Sequence, residues 1–421
     1  MSIIRDTMRT YNTVIIGGGA GGILAGIYLN DKNSILLEKN EILGKKILMT
    51  GGGRCNITNN RPIHEYIKKY YNTGNFYRDA FNTFFNKDII KLLEDNGCKT
   101  KIEDDKRVFP KSNKSKTVVN TLTHILNKSH TYYQLNSTVT NVEKEDEYFI
   151  ITYNNKKIRT KYLILATGGI SYPETGSTGD GYKFAMNLGH EKTKKMSGLC
   201  PIKTKEKWVH QLQGITLQVK LEIKANKKSI VKDKGSIIFT HNGISGYVIL
   251  DNSMEIEKHL QKNKKVIINL DLVEKYDYET LDKKLQDDFS KYGTRGLKRY
   301  MHEYLPKNMS SVFLNVLSLD ETKTLNQITK KERILIRDHL KRLQLTISDV
   351  IETQAMVSNN GIKQKEINPS TFESRLMKNL FIVGELIEGC GQCGGYNLQK
   401  AFSTGVIAAK TIKERLKNDS S

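Results

Sequence analysis

Gly17, Gly19 and Gly22 have the spacing of a loop that cradles a dinucleotide. The first glycine permits a tight turn, the second lets the backbone approach a pyrophosphate, and the third allows a helix to pack closely on a strand. The run Gly17-Gly18-Gly19-Ala20-Gly21-Gly22 follows the apolar Val14-Ile15-Ile16 and precedes Ile23-Leu24-Ala25-Gly26-Ile27-Tyr28-Leu29. That last segment reads as a helix whose first N–H groups and dipole hold a diphosphate. A second apolar run, Ile35-Leu36-Leu37, ends on Glu38, twenty-one residues beyond Gly17, where a carboxylate accepts hydrogen bonds from an adenosine ribose. Dinucleotide binding is the chemistry expected, and this loop alone leaves the choice between FAD and NAD open.

Other residues extend the argument toward FAD. Tyr162-Leu163-Ile164-Leu165-Ala166-Thr167-Gly168-Gly169 and Leu380-Phe381-Ile382-Val383-Gly384-Glu385 each read as a buried strand running into a glycine turn. A long, extended cofactor takes contacts from several strand ends, whereas an NAD-only domain needs just the first. Thr50-Gly51-Gly52-Gly53-Arg54-Cys55-Asn56 offers small residues whose backbone can lie against a flat ring or a phosphate, with Arg54 as a cation. Cys390 and Cys393 have dithiol spacing, against which stands the plainer reading of two packing thiols. His241 and Arg295 are the candidates for catalysis, one supplying a proton and the other a donor to hold a developing enolate.

The elements that must position these residues are α/β: an FAD-binding Rossmann-type domain split by an insert. Its first part is expected at 1–195 and its C-terminal part at 356–421. Between them, residues 196–355 are expected to form a β-rich and helical substrate or cap domain. Thr216 to Ile223 alternates polar residues with Leu217, Val219, Leu221 and Ile223, and Ile237-Ile238-Phe239 and Val266-Ile267-Ile268 continue in strand style. From about Tyr278 the spacing turns helical, with Leu281, Leu285 and Phe289 on one face and Ile334, Ile336, Leu340 and Leu343 assigned to a later helix.

Composition bounds the setting. The 421 residues are 38% hydrophobic and 27% charged, with no apolar run long enough to span a membrane and no secretory stretch in the first ten residues. A cytoplasmic protein without membrane attachment is expected. Five scattered cysteines point to reduced thiols rather than a disulfide framework, and no metal site is expected. The net charge of +22 attracts anions, but the lysines are spread along the whole length rather than gathered with aromatics into a visible nucleic-acid stripe.

With these residues in view, the chain resembles the YhiN/BaiN-like family of NAD(P)/FAD-dependent oxidoreductases over nearly its full length. The resemblance is carried by the glycine loop, Glu38-Lys39 and the long run Gly44-Lys45-Lys46-Ile47-Leu48-Met49-Thr50-Gly51-Gly52-Gly53-Arg54-Cys55-Asn56-Ile57-Thr58-Asn59. Thr175 to Tyr182, Phe239 to Gly246 and Gly394-Gly395-Tyr396-Asn397-Leu398-Gln399 add to it. It implies that the 50–56 loop lines the flavin and ribityl chain, that Val139 packs against adenine, and that Asp180 and Glu385 match acids of the succinate dehydrogenase, fumarate reductase and L-aspartate oxidase group that contact the ribityl or flavin region. Taking both readings together, the cofactor residues are Gly17, Gly19, Ala20, Gly21, Gly22, Glu38, Lys39, Lys45, Lys46, Thr50, Gly51, Gly52, Arg54, Cys55, Asn56 and Val139. They continue with Ala166, Thr167, Gly168, Asp180, Gly384, Glu385, Gly395, Tyr396, Asn397 and Leu398. The amides of the helix that begins there can face the pyrimidine end of a flavin.

The implied reaction is NAD(P)H reduction of FAD followed by hydride transfer to a polarised double bond of a small organic substrate. Two other classes stay open: a flavoenzyme acting on tRNA or another nucleic acid, and a non-catalytic flavin-binding redox sensor. The match departs at Tyr247, where the family carries Pro, and at Val357-Ser358-Asn359-Asn360-Gly361, where it carries Val-Thr-x-Gly-Gly. No second Gly-x-Gly-x-x-Gly unit for NADPH is present, so NAD(P)H would reach the flavin by the face that the substrate uses.

Overall fold

The computed structural model describes residues 8–194 and 197–419, so the domain boundary expected at 195/196 lies outside the described residues. The chain divides into two compact units, Met1–Ser197 with Met356–Ser421, and Gly198–Ala355.

The first unit is built on a seven-stranded sheet. Arg9–Ile16 pairs in parallel with Ser34–Leu37 on one edge and with Lys156–Leu165 on the other, and Ser34–Leu37 pairs in turn with Tyr132–Gln134. Val14, Ile15, Leu163, Ile164 and Leu165 are wholly buried, as expected for parallel strands covered on both faces. Lys156–Leu165 is ten residues long and divides its free edge between two partners. Its first half meets Tyr148–Tyr153 antiparallel, with Phe149 opposite Thr160. Its last three residues meet Leu380–Ile382 in parallel, with Leu380 opposite Leu163. That second pairing brings the C-terminal segment into the sheet.

The helix Ala20–Leu29 packs against the 24-residue helix Tyr396–Asp419. The approach is close enough that a Cβ on Gly405 would lie 2.2 Å from the Gly21 carbonyl oxygen. Residues 60–130 carry no strand-to-glycine signal. They form short helices, the 14-residue helix Ser115–Lys128, and two strands, Thr100–Ile102 and Arg107–Pro110, that build a small sheet with Thr58–Asn59.

In the second unit the strands close into a six-stranded antiparallel barrel. Along Thr216–Ala225, Val219, Leu221, Ile223 and Ala225 are buried while Lys220 is exposed and Glu222 and Lys224 are half-buried. Helices Tyr278–Lys291, Lys307–Val316 and Lys330–Lys341 lie in sequence between Val266–Asp271 and the closing strand Leu343–Val350. Asp277 caps the first of them by accepting from the Thr280 N–H at 2.8 Å. The expected class, a split Rossmann-type domain with a β-rich and helical insert, is the one the chain adopts.

Two details of the insert differ from expectation. Leu343 does not belong to the later helix, which ends at Lys341; it begins a strand in which Leu343, Leu345 and Ile347 are buried. Alternation over Leu343-Gln344-Leu345-Thr346-Ile347 is the period of a strand, and this strand fills the gap between Val266–Asp271 and Ile202–Thr204. The order is therefore strands, helices and a final strand rather than strands then helices, with the helix Tyr247–Leu260 lying between two of the strands in sequence.

Gly405→Ala should lower stability by about 1–3 kcal/mol because a methyl has no room against the Gly21 carbonyl. Urea unfolding reads this directly, and an unchanged midpoint would show that the two helices separate without cost.

Candidate functional site

The strand Arg9–Ile16 hands over to the helix Ala20–Leu29 through a turn that only glycine fits. Gly17 has φ +105°, and its Cβ would lie 2.6 Å from the Ala166 carbonyl oxygen; a Cβ on Gly22 would lie 1.9 Å from the Gly17 oxygen. Gly19 is different, since its Cβ would meet nothing within 4 Å. It is also the N-cap of the helix and no side chain caps the first turn, so the leading N–H groups remain available to an anion. Glu38 holds the turn from the neighbouring strand end, with Oε2 accepting the Gly18 N–H at 2.5 Å and Oε1 accepting from the Asn40 backbone and side-chain amides at 2.8 and 2.7 Å.

A cleft with about 1180 Å³ of empty space, part of it open to solvent, runs past this turn. Gly17, Gly19, Ala20 and Gly21 line it, as do Glu38, Lys39, Lys45, Lys46 and Thr50. Val139, Ala166, Thr167, Gly168, Asp180, Gly384, Glu385, Asn397 and Leu398 complete the expected residues on its wall. The wall also takes residues that no motif signalled: Asn40, Ser137, Phe184 and Met356. Asn40 follows the expected Glu38-Lys39; its Nδ2 donates to the Thr175 carbonyl at 3.1 Å and its carbonyl accepts from the Asn136 N–H at 3.0 Å.

Eight expected residues stand off this wall. Gly22 serves the turn. Gly51 and Gly52, with their neighbour Gly53, form an exposed left-handed run, and a Cβ on Gly52 or Gly53 would meet nothing within 4 Å. Arg54 turns away to Glu103, with Nη1 to Oε1 at 2.8 Å, and lies 3.9 Å over the Phe109 ring. Cys55 is buried, and burial pushes its thiol up to about 12. With its amide oriented to donate to the Thr58 carbonyl and accept from the Gly395 N–H, both at 3.0 Å, Asn56 ties this loop to the C-terminal one. Tyr396 is buried edge-on to Tyr66, with ring centroids 4.6 Å apart.

Two lysine–carboxylate pairs sit on the cleft wall. Lys46 Nζ donates to Glu385 Oε2 at 2.7 Å and to Ser171 Oγ at 2.6 Å, while Ser171 Oγ and the Ser358 N–H donate to Glu385 Oε1 at 2.9 and 2.7 Å. Burial pushes the Glu385 carboxyl up, but the Lys46 ammonium and these donors outweigh it and hold the group below its ordinary value. Lys39 Nζ meets Asp180 Oδ2 at 2.7 Å, with Thr178 Oγ1 donating to the same oxygen at 2.8 Å. Burial raises Asp180 as well, and Lys39 and Thr178 again bring it below the usual range.

Behind the 387–395 loop, Lys400 is almost wholly buried and donates to the carbonyls of Ile387, at 2.9 Å, and Gly389, at 2.5 Å. Burial lowers its pKa to about 8. Cys390 is buried and Cys393 half-buried, both as thiols. The two catalytic candidates belong to the other unit. His241 is exposed in the turn between Lys228–Phe239 and Gly243–Ser245. The Arg295 guanidinium is committed to Glu303, the Arg299 carbonyl and the Tyr300 ring.

Residues 11–411 match the family described as HI0933-like protein Rossmann domain. The chain belongs to that family. The chain is similar to the 3-dehydro-bile acid delta(4,6)-reductase of Clostridium scindens, with 27% identity over 95% of this chain and 98% of the relative. It is also similar to the ribosomal RNA dihydrouridine synthase of Escherichia coli, with 26% identity over 96% and 98%. Among solved structures, the 3-ketosteroid delta1-dehydrogenase of Sterolibacterium denitrificans shares the fold, with TM-score 0.54 and 12% identity over 97% of this chain and all of that one. No helix among the described residues is long and apolar enough to cross a membrane.

Because Lys400 has a lower pKa folded than its ordinary 10.5, the unfolded chain binds more protons between about pH 8 and 10.5. The penalty of the buried charge is full below about pH 8 and is relieved as pH rises through that window, while the neutral amine keeps two N–H donors for its two carbonyls. Urea unfolding of wild type and Lys400→Met across this range should show the difference shifting in favour of wild type by about 1–3 kcal/mol. A difference independent of pH would mean that Lys400 is neutral, or charged without penalty, in the fold.

Proposed function

We propose that the first unit holds FAD along its cleft and that the chain uses NAD(P)H to reduce a carbon–carbon double bond conjugated with a carbonyl. The observation that carries this reading is the bond change common to two nearly full-length relatives with unlike substrates. A 3-dehydro-bile acid with delta(4,6) unsaturation has its double bonds conjugated with the 3-oxo group. Dihydrouridine is uridine saturated at the bond conjugated with a ring carbonyl.

The residues fit the cofactor. The uncapped helix start at Ala20 and the open side of Gly19 suit a diphosphate, and Glu38, with Val139 on the same cleft, suits an adenosine. Gly52 and Gly53, left-handed and with open space where a Cβ would stand, leave the backbone face that a flat ring needs. Bound there, FAD would supply the hydride and take its replacement from NAD(P)H. Lys46 and Glu385, neutral as a pair, present polar groups to a ribityl chain without adding net charge, and the amides at Asn397 and Leu398 supply partial positive charge at the helix start. His241 is the proposed proton source because its imidazole is exposed, whereas the donors of Arg295 are engaged elsewhere.

A second reading, uridine within RNA as the substrate, is favoured by the ribosomal RNA-modifying relatives from Escherichia coli and Haemophilus influenzae together with the net charge of +22.

The purified protein should be yellow and release one FAD per chain on heating, and a reconstituted protein that binds FMN or no flavin overturns the reading. Glu38→Ala should weaken FAD retention about tenfold to a hundredfold, since it removes charge-assisted hydrogen bonds both to the glycine turn and to the ribose. His241→Gln should leave anaerobic reduction by NADH or NADPH intact and slow reoxidation by a conjugated enone or a uridine-containing RNA about a hundredfold or more. Equal reoxidation rates with the true acceptor would remove His241 from the mechanism.

A further inference from the structure

The barrel of the second unit exposes a polar face along the edge where Thr216–Ala225 pairs with both Lys228–Phe239 and Val266–Asp271. Because Val219, Leu221 and Ile223 point inward, Lys220, Glu222 and Lys224 point out. Register then sets Lys220 opposite Lys234 and Glu222 opposite Lys232, and the end of Lys330–Lys341 adds Lys341 and Arg342. These side chains line a groove with about 1200 Å³ of empty space, much of it open to solvent.

Six cations line this groove against three carboxylates, those of Glu222, Asp233 and Asp271. Lys224 is paired with Glu222 at 3.2 Å and Lys341 with Asp271 at 2.6 Å, while Lys220 and Lys234 share Glu274 at 2.9 and 3.5 Å. Asp233 is occupied by the Lys234 N–H and the Asn252 amide. Among the described residues, Lys232 and Arg342 have no carboxylate within ion-pairing distance. Like charges directly opposed on neighbouring strands, as at Lys220 and Lys234, are unfavourable unless anions lie between them, and here a single carboxylate serves both. Beside this surplus, the Tyr278 ring is 44% exposed on the groove wall, with the Arg337 guanidinium 5.7 Å from its centroid.

We propose that this groove binds single-stranded RNA, with phosphates on the lysine rows and Arg342 and a base stacked on Tyr278. Uncompensated cations alone suit any polyanion. An exposed aromatic at the same groove selects one that carries flat rings. The proposal rests on the reading of uridine in RNA as substrate.

The test uses the FAD-loaded full chain and a labelled oligouridylate of about twelve nucleotides, followed by fluorescence anisotropy across a salt series. Lys232→Glu with Arg342→Glu should weaken binding at least about tenfold and reduce the slope of log K against log salt by about 1.4, corresponding to about 0.7 for each phosphate no longer neutralised. Tyr278→Ala should weaken binding about fivefold to 150-fold and leave that slope unchanged, because stacking releases no counterions. Flavin content, anaerobic flavin reduction by NAD(P)H and the urea unfolding midpoint should match wild type in all variants, which establishes that they fold. Tight wild-type binding with unchanged affinity in the charge variants, or with Tyr278→Ala neutral, overturns the groove while leaving the RNA reading intact. Absence of wild-type binding overturns both and leaves the FAD assignment untouched.

Discussion

Parallel strands cannot be joined by a tight turn, so each edge of such a strand waits for a partner that arrives from elsewhere in the chain. In the first unit that requirement falls on Lys156–Leu165. Its C-terminal three residues are wholly buried and need backbone partners on both edges; Arg9–Ile16 supplies one and Leu380–Ile382 the other. Once Leu380 lies opposite Leu163, Val383-Gly384-Glu385 emerges next to Ala166-Thr167-Gly168. The C-terminal helix is then laid against Ala20–Leu29 with Gly405 on Gly21. The glycine turn, the middle glycine strand end and the final one are adjacent because three strands end side by side.

Charge in the cleft follows a common plan. Lys39 with Asp180 and Lys46 with Glu385 are each partly shielded from water, which would be costly for either member alone. Paired and hydrogen-bonded, they keep both carboxyls ionised and add no net charge to the wall. Lys400 is the contrast. It is buried against carbonyl oxygens and the Tyr77 ring instead of a salt-bridging carboxylate, and its lowered pKa is the consequence. It joins the helix to the 387–389 turn, so it acts on loop geometry from behind the wall.

The insert solves a different problem by different means. A six-stranded antiparallel barrel has no free edge, and closure depends on Leu343–Val350 pairing with two strands at once. Inward alternation gives it a core, and the same alternation forces the intervening residues onto the surface. A row of lysines on one strand and another on its neighbour then become a single face because the register of a hairpin leaves no alternative.

Local signals in the sequence determined the glycine turn. Gly17, Gly19, Gly22 and Glu38 lie within one strand–helix–strand unit, and their roles depend on backbone freedom and short-range spacing that neighbouring residues alone impose. The α/β class was legible for the same reason, as were Ala166 to Gly168 and Gly384-Glu385 at apolar strand ends. What tertiary structure decided was partnership. Arg54 reads as a cation for a ligand until Glu103 and Phe109 are brought beside it. Leu343 reads as the end of a helix until barrel closure demands a strand. Asn40 and Met356 carry no motif yet reach the cleft wall, and the lysines of the insert gather into a groove only through strand register. Spacing along a chain specifies which face a side chain occupies, whereas its partner is set by segments far apart in sequence, and these meet only once the sheet and barrel have formed.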